Sequence, residues 1–273
     1  MNALQAVVLG VVQGLTEFLP VSSTAHLRIV PALAGWDDPG AAFTAVVQLG
    51  TLLAVLLYFW REILQISAAW VRGFVDADVR SGAEYRIAWY VIIATIPIGV
   101  LGLVFSHQIE TGARNLWLIA STLIVLGLVL LVAERVGTHS RDEEKIRFRD
   151  GVLVGLAQSA ALVPGVSRSG ATITAGLFAG LNREAAARFS FLLSIPAVVA
   201  SGLFEARKMS DPGGPPVGLT ILATVLAFVV GYASIAWLLR YLTRHGTYVF
   251  VAYRIALGLL LFALLSTKVL SAT

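Results

Sequence analysis

The residues Leu19-Pro20-Val21-Ser22-Ser23-Thr24 interrupt an apolar stretch that runs over positions 3–35. A second apolar stretch, over 151–181, is interrupted by Val163-Pro164-Gly165-Val166-Ser167-Arg168-Ser169-Gly170. Each side of each break holds about 12 to 16 residues, whereas a helix needs roughly 20 apolar residues to cross a bilayer. Non-helical backbone at membrane depth is tolerated only where protein or a water-filled cavity satisfies it. The two breaks therefore predict re-entrant helical hairpins, and a full span kinked at its proline is the alternative.

The composition of the whole chain supports a membrane location. Of the 273 residues, 58% are hydrophobic and 13% are charged, whereas soluble domains are about 25% charged. So few polar side chains cannot cover a soluble core. The net charge of +4 is not gathered into a basic run interleaved with aromatics, so no nucleic-acid partner is expected. The absence of cysteine from the sequence excludes disulfides, thiolate metal sites and a cysteine nucleophile.

Six further segments are long and apolar enough to cross the bilayer as helices. They cover about 41–60, 86–106, 115–134, 184–204, 217–239 and 247–267. We therefore predict an all-α integral membrane protein with six transmembrane helices and two re-entrant hairpins. Residues 61–75 predict an amphipathic helix that lies at the membrane surface.

The order of these elements, a hairpin followed by three spans, occurs twice. Repeat 1 covers 1–134, a charged cytoplasmic linker covers 135–150, and repeat 2 covers 151–273. Positions 145 apart match at the breaks, as in Gln13 with Gln158 and Ser22 with Ser167. A hairpin returns to its own side and three spans end on the opposite side, so the second repeat is predicted to be inverted. Inverted repeats place binding sites near the bilayer midplane.

The distribution of Lys and Arg among the loops predicts the orientation. Thirteen of these residues lie in the loops 61–86, 135–150, 182–188 and 240–246, and five lie on the opposite side. Because cytoplasmic loops carry the excess of Lys and Arg, both termini are predicted to lie outside the cytoplasm. The linker 135–150 is predicted to be solvated on the cytoplasmic side.

Ionisable side chains at membrane depth are costly and are candidates for function by default. Four fall there: Glu17, His26, Arg168 and Arg254. Arg254, within the last span, is predicted to pair with a buried acid or to snorkel, and it is left out of the site. Three acids at span ends are predicted to be solvated: Glu110, Glu134 and Glu205.

Serines at the two breaks are placed to cap the helices that follow them. Helix starts at the midplane would aim free N–H groups and positive dipole at an anion, for which phosphate is the natural ligand. Arg168 adds a planar fork suited to phosphate, and Ser167, Ser169 and Thr172 add hydroxyl donors. Helical spacing places Gln13 with Glu17, Ser23 with His26, and Arg168 with Thr172 on shared faces.

Two kinds of chemistry are open to this set. A serine–histidine pair with a nearby carboxylate supplies a nucleophile and an acid–base group. A carboxylate and an amide four residues apart, Glu17 and Gln13, are instead able to hold a divalent cation that bridges phosphates.

The run Gln13-Gly14-Leu15-Thr16-Glu17-Phe18-Leu19-Pro20-Val21-Ser22-Ser23-Thr24, followed by His26, resembles the first signature of the undecaprenyl-diphosphate phosphatases, the bacitracin-resistance family. Pro164-Gly165-Val166-Ser167-Arg168-Ser169-Gly170-Ala171-Thr172 resembles the second signature, and the resemblance extends over the whole chain. It implies hydrolysis of undecaprenyl diphosphate to undecaprenyl phosphate and phosphate in the bacterial plasma (inner) membrane, which recycles the lipid carrier for cell-wall synthesis. It also implies a divalent cation, Mg²⁺ or Ca²⁺, an inverted-repeat fold similar to that of transporters, and a homodimer.

Matched position by position, the resemblance implies roles for individual residues. The implied catalytic set is Glu17, Ser23, His26 and Arg168. The residues expected to contact the substrate phosphates are Ser22, Thr24, Ser167, Ser169 and Thr172. Gln13 and Glu17 are expected at the metal, although glutamine at position 13, where the family carries Glu or Gln, removes one metal carboxylate. Ser23 is the expected nucleophile, with His26 activating it or protonating the leaving group; His26 or water as the nucleophile stays open.

Two other classes of function compete with a phosphatase. A transporter or lipid flippase is suggested by the inverted repeats alone, either instead of hydrolysis or combined with it. The second class is a structural membrane scaffold, but such a role does not explain why polar residues cluster at membrane depth.

Overall fold

The structure is a computed structural model that describes residues 1–105, 115–206 and 216–272. Within these residues the chain forms eleven α-helices and no β-strand. The helices are α1 (Ala3–Thr16), α2 (Ser23–Ala34), α3 (Gly40–Tyr58), α4 (Trp60–Arg72), α5 (Ala83–Val104), α6 (Leu116–Val136), α7 (Phe148–Ser159), α8 (Arg168–Phe178), α9 (Arg183–Ala206), α10 (Val217–Leu242) and α11 (Tyr248–Ser266). Glu110 and the side chain of Glu205, both predicted to be solvated, lie outside the described part of the chain.

The six predicted spans are confirmed as helices α3, α5, α6, α9, α10 and α11. Five of them are long and apolar enough to cross a membrane, and the mean hydropathy of the most apolar 18-residue stretch of each is 1.5 to 2.7. The sixth, α3, bends by 77° into α4 at Phe59. None of the residues of α4 is buried, which suits the predicted surface helix. In the described residues the protein is therefore all-helical and offers five or six candidate spans, which indicates a multi-pass membrane protein.

The chain breaks where the sequence predicts, between Thr16 and Ser23 and between Ser159 and Arg168. The flanking helices hold 14, 12, 12 and 11 residues, each too short for a hydrocarbon core of about 30 Å at 1.5 Å per residue. α1 contacts α2, and α7 contacts α8. Each break thus separates two short helices that pack together.

Glycines bring both leading helices of these pairs close to a long span. A Cβ at Gly10 in α1 would lie 2.5 Å from the carbonyl oxygen of Ala223 in α10. A Cβ at Gly155 in α7 would lie 2.5 Å from the Cα of Ala94 in α5. Small residues allow such close approach between membrane helices. The close contacts seat α1 against α10 and α7 against α5, and so fix where each break lies along these long helices.

The prediction that Glu134 is solvated is wrong. The residue is 3% exposed, its carboxylate forms an ion pair with Arg183, and it accepts a hydrogen bond of 2.9 Å from the Thr247 hydroxyl. These contacts join the end of α6 to the starts of α9 and α11. A buried carboxylate needs such partners because its desolvation is otherwise uncompensated.

The linker 135–150 is also less solvated than predicted. Ile146 and Asp150 are each 3% exposed, and Arg141 donates to Asp150 at 2.5 Å and to the carbonyl of Ala179 at 2.7 Å. The linker is therefore packed against the end of α8, although many of its charged side chains are exposed.

Candidate active site

Two serines cap the helices that follow the breaks, as predicted. Ser22 precedes α2 and accepts from the backbone N–H of Ala25, and Ser167 precedes α8 and accepts from that of Gly170. Their φ angles are +75° and +72°, a region that residues other than glycine rarely occupy and that is often found at functional sites. The same uncommon geometry therefore recurs at the two matched positions.

The two breaks meet in space. Arg168 Nη2 forms an ion pair with Glu17 Oε1, and the Ser169 hydroxyl donates to the carbonyl of Leu19 at 3.0 Å. These partners are 151 and 150 residues apart in the chain. The structure thus brings the carboxylate of the first break and the guanidinium of the second into direct contact.

Glu17 is the centre of the polar cluster. Its Oε2 accepts from Ser23 Oγ at 2.5 Å and from Gln13 Nε2 at 2.9 Å, while Oε1 faces Arg168. The predicted shared face of Gln13 and Glu17 is confirmed by their hydrogen bond. An ionised carboxylate only accepts hydrogen bonds, so Glu17 is oriented to take a proton from Ser23.

His26 is hydrogen-bonded to the Ser22 carbonyl and to Tyr253, and not to Ser23, which it was expected to activate. Its Nδ1 lies 2.7 Å from the carbonyl oxygen of Ser22, and its Nε2 lies 2.6 Å from the Tyr253 hydroxyl. A carbonyl only accepts, so Nδ1 carries the proton and Nε2 accepts from Tyr253. The two rings also stack, with centroids 5.6 Å apart. Sequence reasoning missed Tyr253, because no local signal links residues 227 positions apart.

The prediction for Arg254 is wrong. Its side chain neither snorkels nor pairs with an acid: the residue is 1% exposed, and its guanidinium donates to backbone carbonyls. The acceptors are those of Pro20 at 3.0 Å, Gly165 at 2.9 Å, Val166 at 3.1 Å, Leu123 at 3.2 Å and Thr122 at 3.4 Å. Arg254 therefore ties both breaks to each other and to α6. One signal was available in the sequence: Glu17 is the only acid predicted at membrane depth, whereas two arginines, Arg168 and Arg254, are predicted there.

Beside the polar cluster lies a cavity of about 460 Å³. One part of its wall is polar and carries Glu17, Ser22, Ser23, Thr24, Arg28, Ser167 and Arg168. Another part is apolar and carries Ile98, Leu103, Ile119, Leu162, Ala197 and Ala200. A molecule with an anionic head and an apolar tail matches this wall.

Only some of the residues predicted to contact the substrate phosphates lie at the cavity. Ser22, Thr24 and Ser167 line the cavity, whereas Ser169 and Thr172 do not. The Thr172 hydroxyl is fully buried and bonded to Ser190 at 2.6 Å and to the Arg168 carbonyl at 2.8 Å. Ser169 is bonded to the first break. These two hydroxyls thus join parts of the protein to each other, and a phosphate contact from them would require other rotamers.

The donor set for a divalent cation is small. In the described ranges, no group of three or more His, Cys, Asp or Glu side chains is placed to hold a metal. Gln13 Oε1, however, is buried and has no hydrogen-bond partner in the structure, and it lies beside Glu17. Mg²⁺ is usually held by one or two carboxylates together with water and substrate phosphates, so an amide and a carboxylate fit this mode of binding.

The fold and the site together define a polytopic membrane protein with a buried serine–carboxylate–arginine cluster facing an amphiphilic cavity. Residues 6–260 match the family described as "Bacitracin resistance protein BacA", and the chain belongs to this family. It is 57% identical to a protein named "Undecaprenyl-diphosphatase" from Mycobacterium sp. (strain KMS), over 276 residues that cover all of both chains. Proteins of the same name from Mycolicibacterium smegmatis and Chloroherpeton thalassium are 55% and 52% identical, again over the full length of both chains.

Proposed function

We propose that this protein is an integral-membrane phosphatase that hydrolyses undecaprenyl diphosphate to undecaprenyl phosphate and inorganic phosphate. The names of its full-length relatives support this activity. The observation that carries the proposal is the contact of Glu17 with both Ser23 and Arg168 at the polar wall of the cavity. The reaction would return the lipid carrier to cell-wall synthesis and confer the bacitracin resistance for which the family is named.

The proposed reaction begins at Ser23. Its Oγ attacks the terminal phosphorus and passes its proton to Glu17, whose Oε2 lies 2.5 Å away. The bond between that phosphorus and the bridging oxygen breaks, and undecaprenyl phosphate leaves with the electron pair. Water then hydrolyses the phosphoserine, with Glu17 positioned to return the proton. Arg168 turns from Glu17 toward the phosphoryl oxygens, where positioning and charge stabilisation supply most of the catalysis.

His26 has a positioning role in this proposal. Its ring donates to the Ser22 carbonyl and accepts from Tyr253, which holds the start of α2 against α11. The pairing of Ser23 with Glu17 supports Ser23 over His26 as the nucleophile. Attack by His26 or by water is the alternative, and both would leave Ser23 as a binding hydroxyl.

The proposal includes a divalent cation, Mg²⁺ or Ca²⁺, held by Gln13 and Glu17. When bound, the cation would neutralise phosphate charge. The orphaned Gln13 Oε1 beside the Glu17 carboxylate supports this assignment.

We also propose that the two helix pairs, α1–α2 and α7–α8, are re-entrant hairpins of an inverted repeat. Two features support this arrangement. The first helix of each pair packs against the second span of the other half, α1 on α10 and α7 on α5. Ser22 and Ser167 share one backbone geometry. The inner-membrane location and the homodimer implied by the resemblance stay predictions.

Both termini are proposed to lie outside the cytoplasm. A cysteine introduced at Asn2, which is exposed, should react with a membrane-impermeant maleimide in intact cells or spheroplasts, because the native chain has no cysteine. A cysteine introduced at the exposed Arg240 should react only after lysis. The reverse pattern would overturn the orientation.

The first test of the activity is phosphate release by the purified full chain. With C55 diphosphate as substrate, Ser23→Ala should lower turnover about 10³-fold or more, because the nucleophile is lost.

Removal of the divalent cation tests the proposed metal in the same assay. Phosphate release should stop when a chelator is added and should return on addition of Mg²⁺ or Ca²⁺.

The same variant separates hydrolysis from transport. A translocator needs no nucleophile, so Ser23→Ala would leave transport intact if the protein were only a carrier. Ser201→Ala, which also alters a hydroxyl on the cavity wall, is the matched control and should keep turnover within about threefold. Near-normal turnover of Ser23→Ala would refute the serine mechanism. Loss of turnover in both Ser23→Ala and Ser201→Ala would refute a specific role of Ser23.

A further inference from the structure

Arg28 is an arginine of the cavity wall that the proposed mechanism does not use. It lies on α2, four residues after Thr24 and five after Ser23. Residues four apart share a helix face, and Arg28 and Thr24 both line the cavity. The rise of 1.5 Å per residue places Arg28 about 7.5 Å along the helix axis from Ser23. Arg28 is therefore near the nucleophile but one and a half turns away from it.

The Arg28 side chain is held at one nitrogen. Its Nε lies 3.3 Å from Asp38 Oδ2, and Asp38 Oδ1 in turn accepts from the backbone N–H of Gly40 at 2.9 Å. The start of α3 thus anchors the carboxylate that orients the guanidinium. Arg28 is 7% exposed, so this orientation is kept within the protein.

The Nη groups of Arg28 make no hydrogen bond within the described residues, in contrast to those of the other two arginines near the site. Arg254 gives its N–H groups to four or more carbonyls, and Arg168 is paired with Glu17. In the part of the chain that the structure describes, Arg28 makes no hydrogen bond, and its ion pair uses Nε. An arginine fork binds phosphate through two N–H groups, and both Nη groups of Arg28 are available for this.

A prenyl diphosphate carries more negative charge than Arg168, Glu17 and the proposed divalent cation together neutralise. Arg168 is opposed by Glu17, so the pair contributes little net positive charge until substrate displaces Arg168. The terminal phosphate must lie at Ser23 for attack, which leaves the lipid-linked phosphate one P–O–P link further along the cavity. A further cationic side chain is needed beside that phosphate, because an unpaired anion shielded from water is costly.

We propose that Arg28 binds the phosphate that stays on the lipid, and that it determines the preference for prenyl phosphates over free phosphate. This inference rests on the proposed function, since it takes the attack at Ser23 as given. Arg28 holds the leaving group, undecaprenyl phosphate, while Arg168 holds the phosphoryl group that is transferred.

Binding measurements test this assignment without catalysis. In the full chain carrying Ser23→Ala, three probes are titrated calorimetrically: a short-chain prenyl diphosphate, the corresponding monophosphate, and inorganic phosphate. Arg28→Gln should raise the dissociation constants of both prenyl probes at least tenfold, as expected for loss of charge-assisted hydrogen bonds. The dissociation constant of inorganic phosphate should change less than twofold, because that ion binds at Arg168.

Two further variants sharpen the test. Arg28→Lys keeps the charge without the fork and should show an intermediate loss of about threefold to fivefold for the prenyl probes. Arg240→Gln, at an exposed arginine, should change none of the three constants. Unchanged binding of the prenyl probes in Arg28→Gln would overturn the proposal, and so would an equal loss for all three probes, since that indicates a distorted site.

Kinetics separate this proposal from the proposed function. With an active Ser23, Arg28→Gln should raise KM for the prenyl diphosphate about tenfold and change kcat by less than about threefold. If the unsubstituted chain releases no phosphate, the proposed function fails while the binding measurement still decides the role of Arg28.

Discussion

Glu17→Gln is expected to lower turnover of the polyprenyl diphosphate about 10³-fold. The Glu17 carboxylate accepts from Ser23 and Gln13 and pairs with Arg168. An amide of the same shape cannot take the serine proton, and general-base catalysis typically contributes 10²- to 10⁴-fold. The substitution also leaves the Arg168 guanidinium without its counter-charge. Initial rates of phosphate release at saturating substrate measure the effect.

The control for this variant is Glu84→Gln, at an exposed carboxylate near the start of α5. It should leave both kcat and the unfolding temperature unchanged. Size-exclusion elution in detergent should show that Glu17→Gln is folded. A folded Glu17→Gln that keeps more than a tenth of the native kcat would contradict the role of Glu17 as the base.

Arg254→Met is expected to lower turnover up to about a hundredfold and to lower the unfolding temperature. The guanidinium donates to carbonyls of both breaks, those of Pro20, Gly165 and Val166. Methionine fills the space but satisfies none of these acceptors, and each buried group left unpaired costs about 1–3 kcal/mol. Without this link the first break, which carries Ser23, is free to move from the second, which carries Arg168. Displacements of about 1 Å at reacting groups cost up to about 10²-fold in rate.

Lysine at the same position separates positioning from folding. Arg254→Lys keeps the positive charge, but a single ammonium group cannot reach carbonyls on several sides. We therefore expect a folded protein whose kcat falls while its KM changes little. Arg149→Met, at a side chain that is 73% exposed, is the control and should behave as the native protein. Native kcat in Arg254→Lys would show that the charge alone matters and that the link between the breaks does not.

Local patterns in the sequence were sufficient for much of the site. The spacing of Gln13 and Glu17 gave their shared face, and they are hydrogen-bonded. Serine next to a break gave the N-caps of α2 and α8. Such features depend on residues within one helical turn, where the geometry of the helix leaves few alternatives.

Errors arose where a polar side chain meets a distant part of the chain. Glu134 lies at a span end, which usually means exposure to water, yet Arg183 and Thr247 enclose it. The sequence predicts that Arg254 pairs with an acid or snorkels, but backbone carbonyls freed by the two breaks accept its hydrogen bonds. Broken helices leave backbone carbonyls without intrahelical partners, and a guanidinium with five donors can satisfy several of them at once.

The sequence by itself determined that this is a helical membrane protein, where its helices run and where two of its apolar segments break. Those properties follow from hydrophobic length and from residues close together along the chain. Tertiary structure alone decided that Ser23 bonds to Glu17 while His26 bonds to Tyr253, that Arg254 joins the breaks, and that Arg28 faces the cavity with donors to spare. Two of these contacts, His26 with Tyr253 and Arg254 with Pro20, join positions 227 and 234 residues apart. They depend on how the helices pack, because apolar spans of similar composition do not specify their neighbours until side chains fit together.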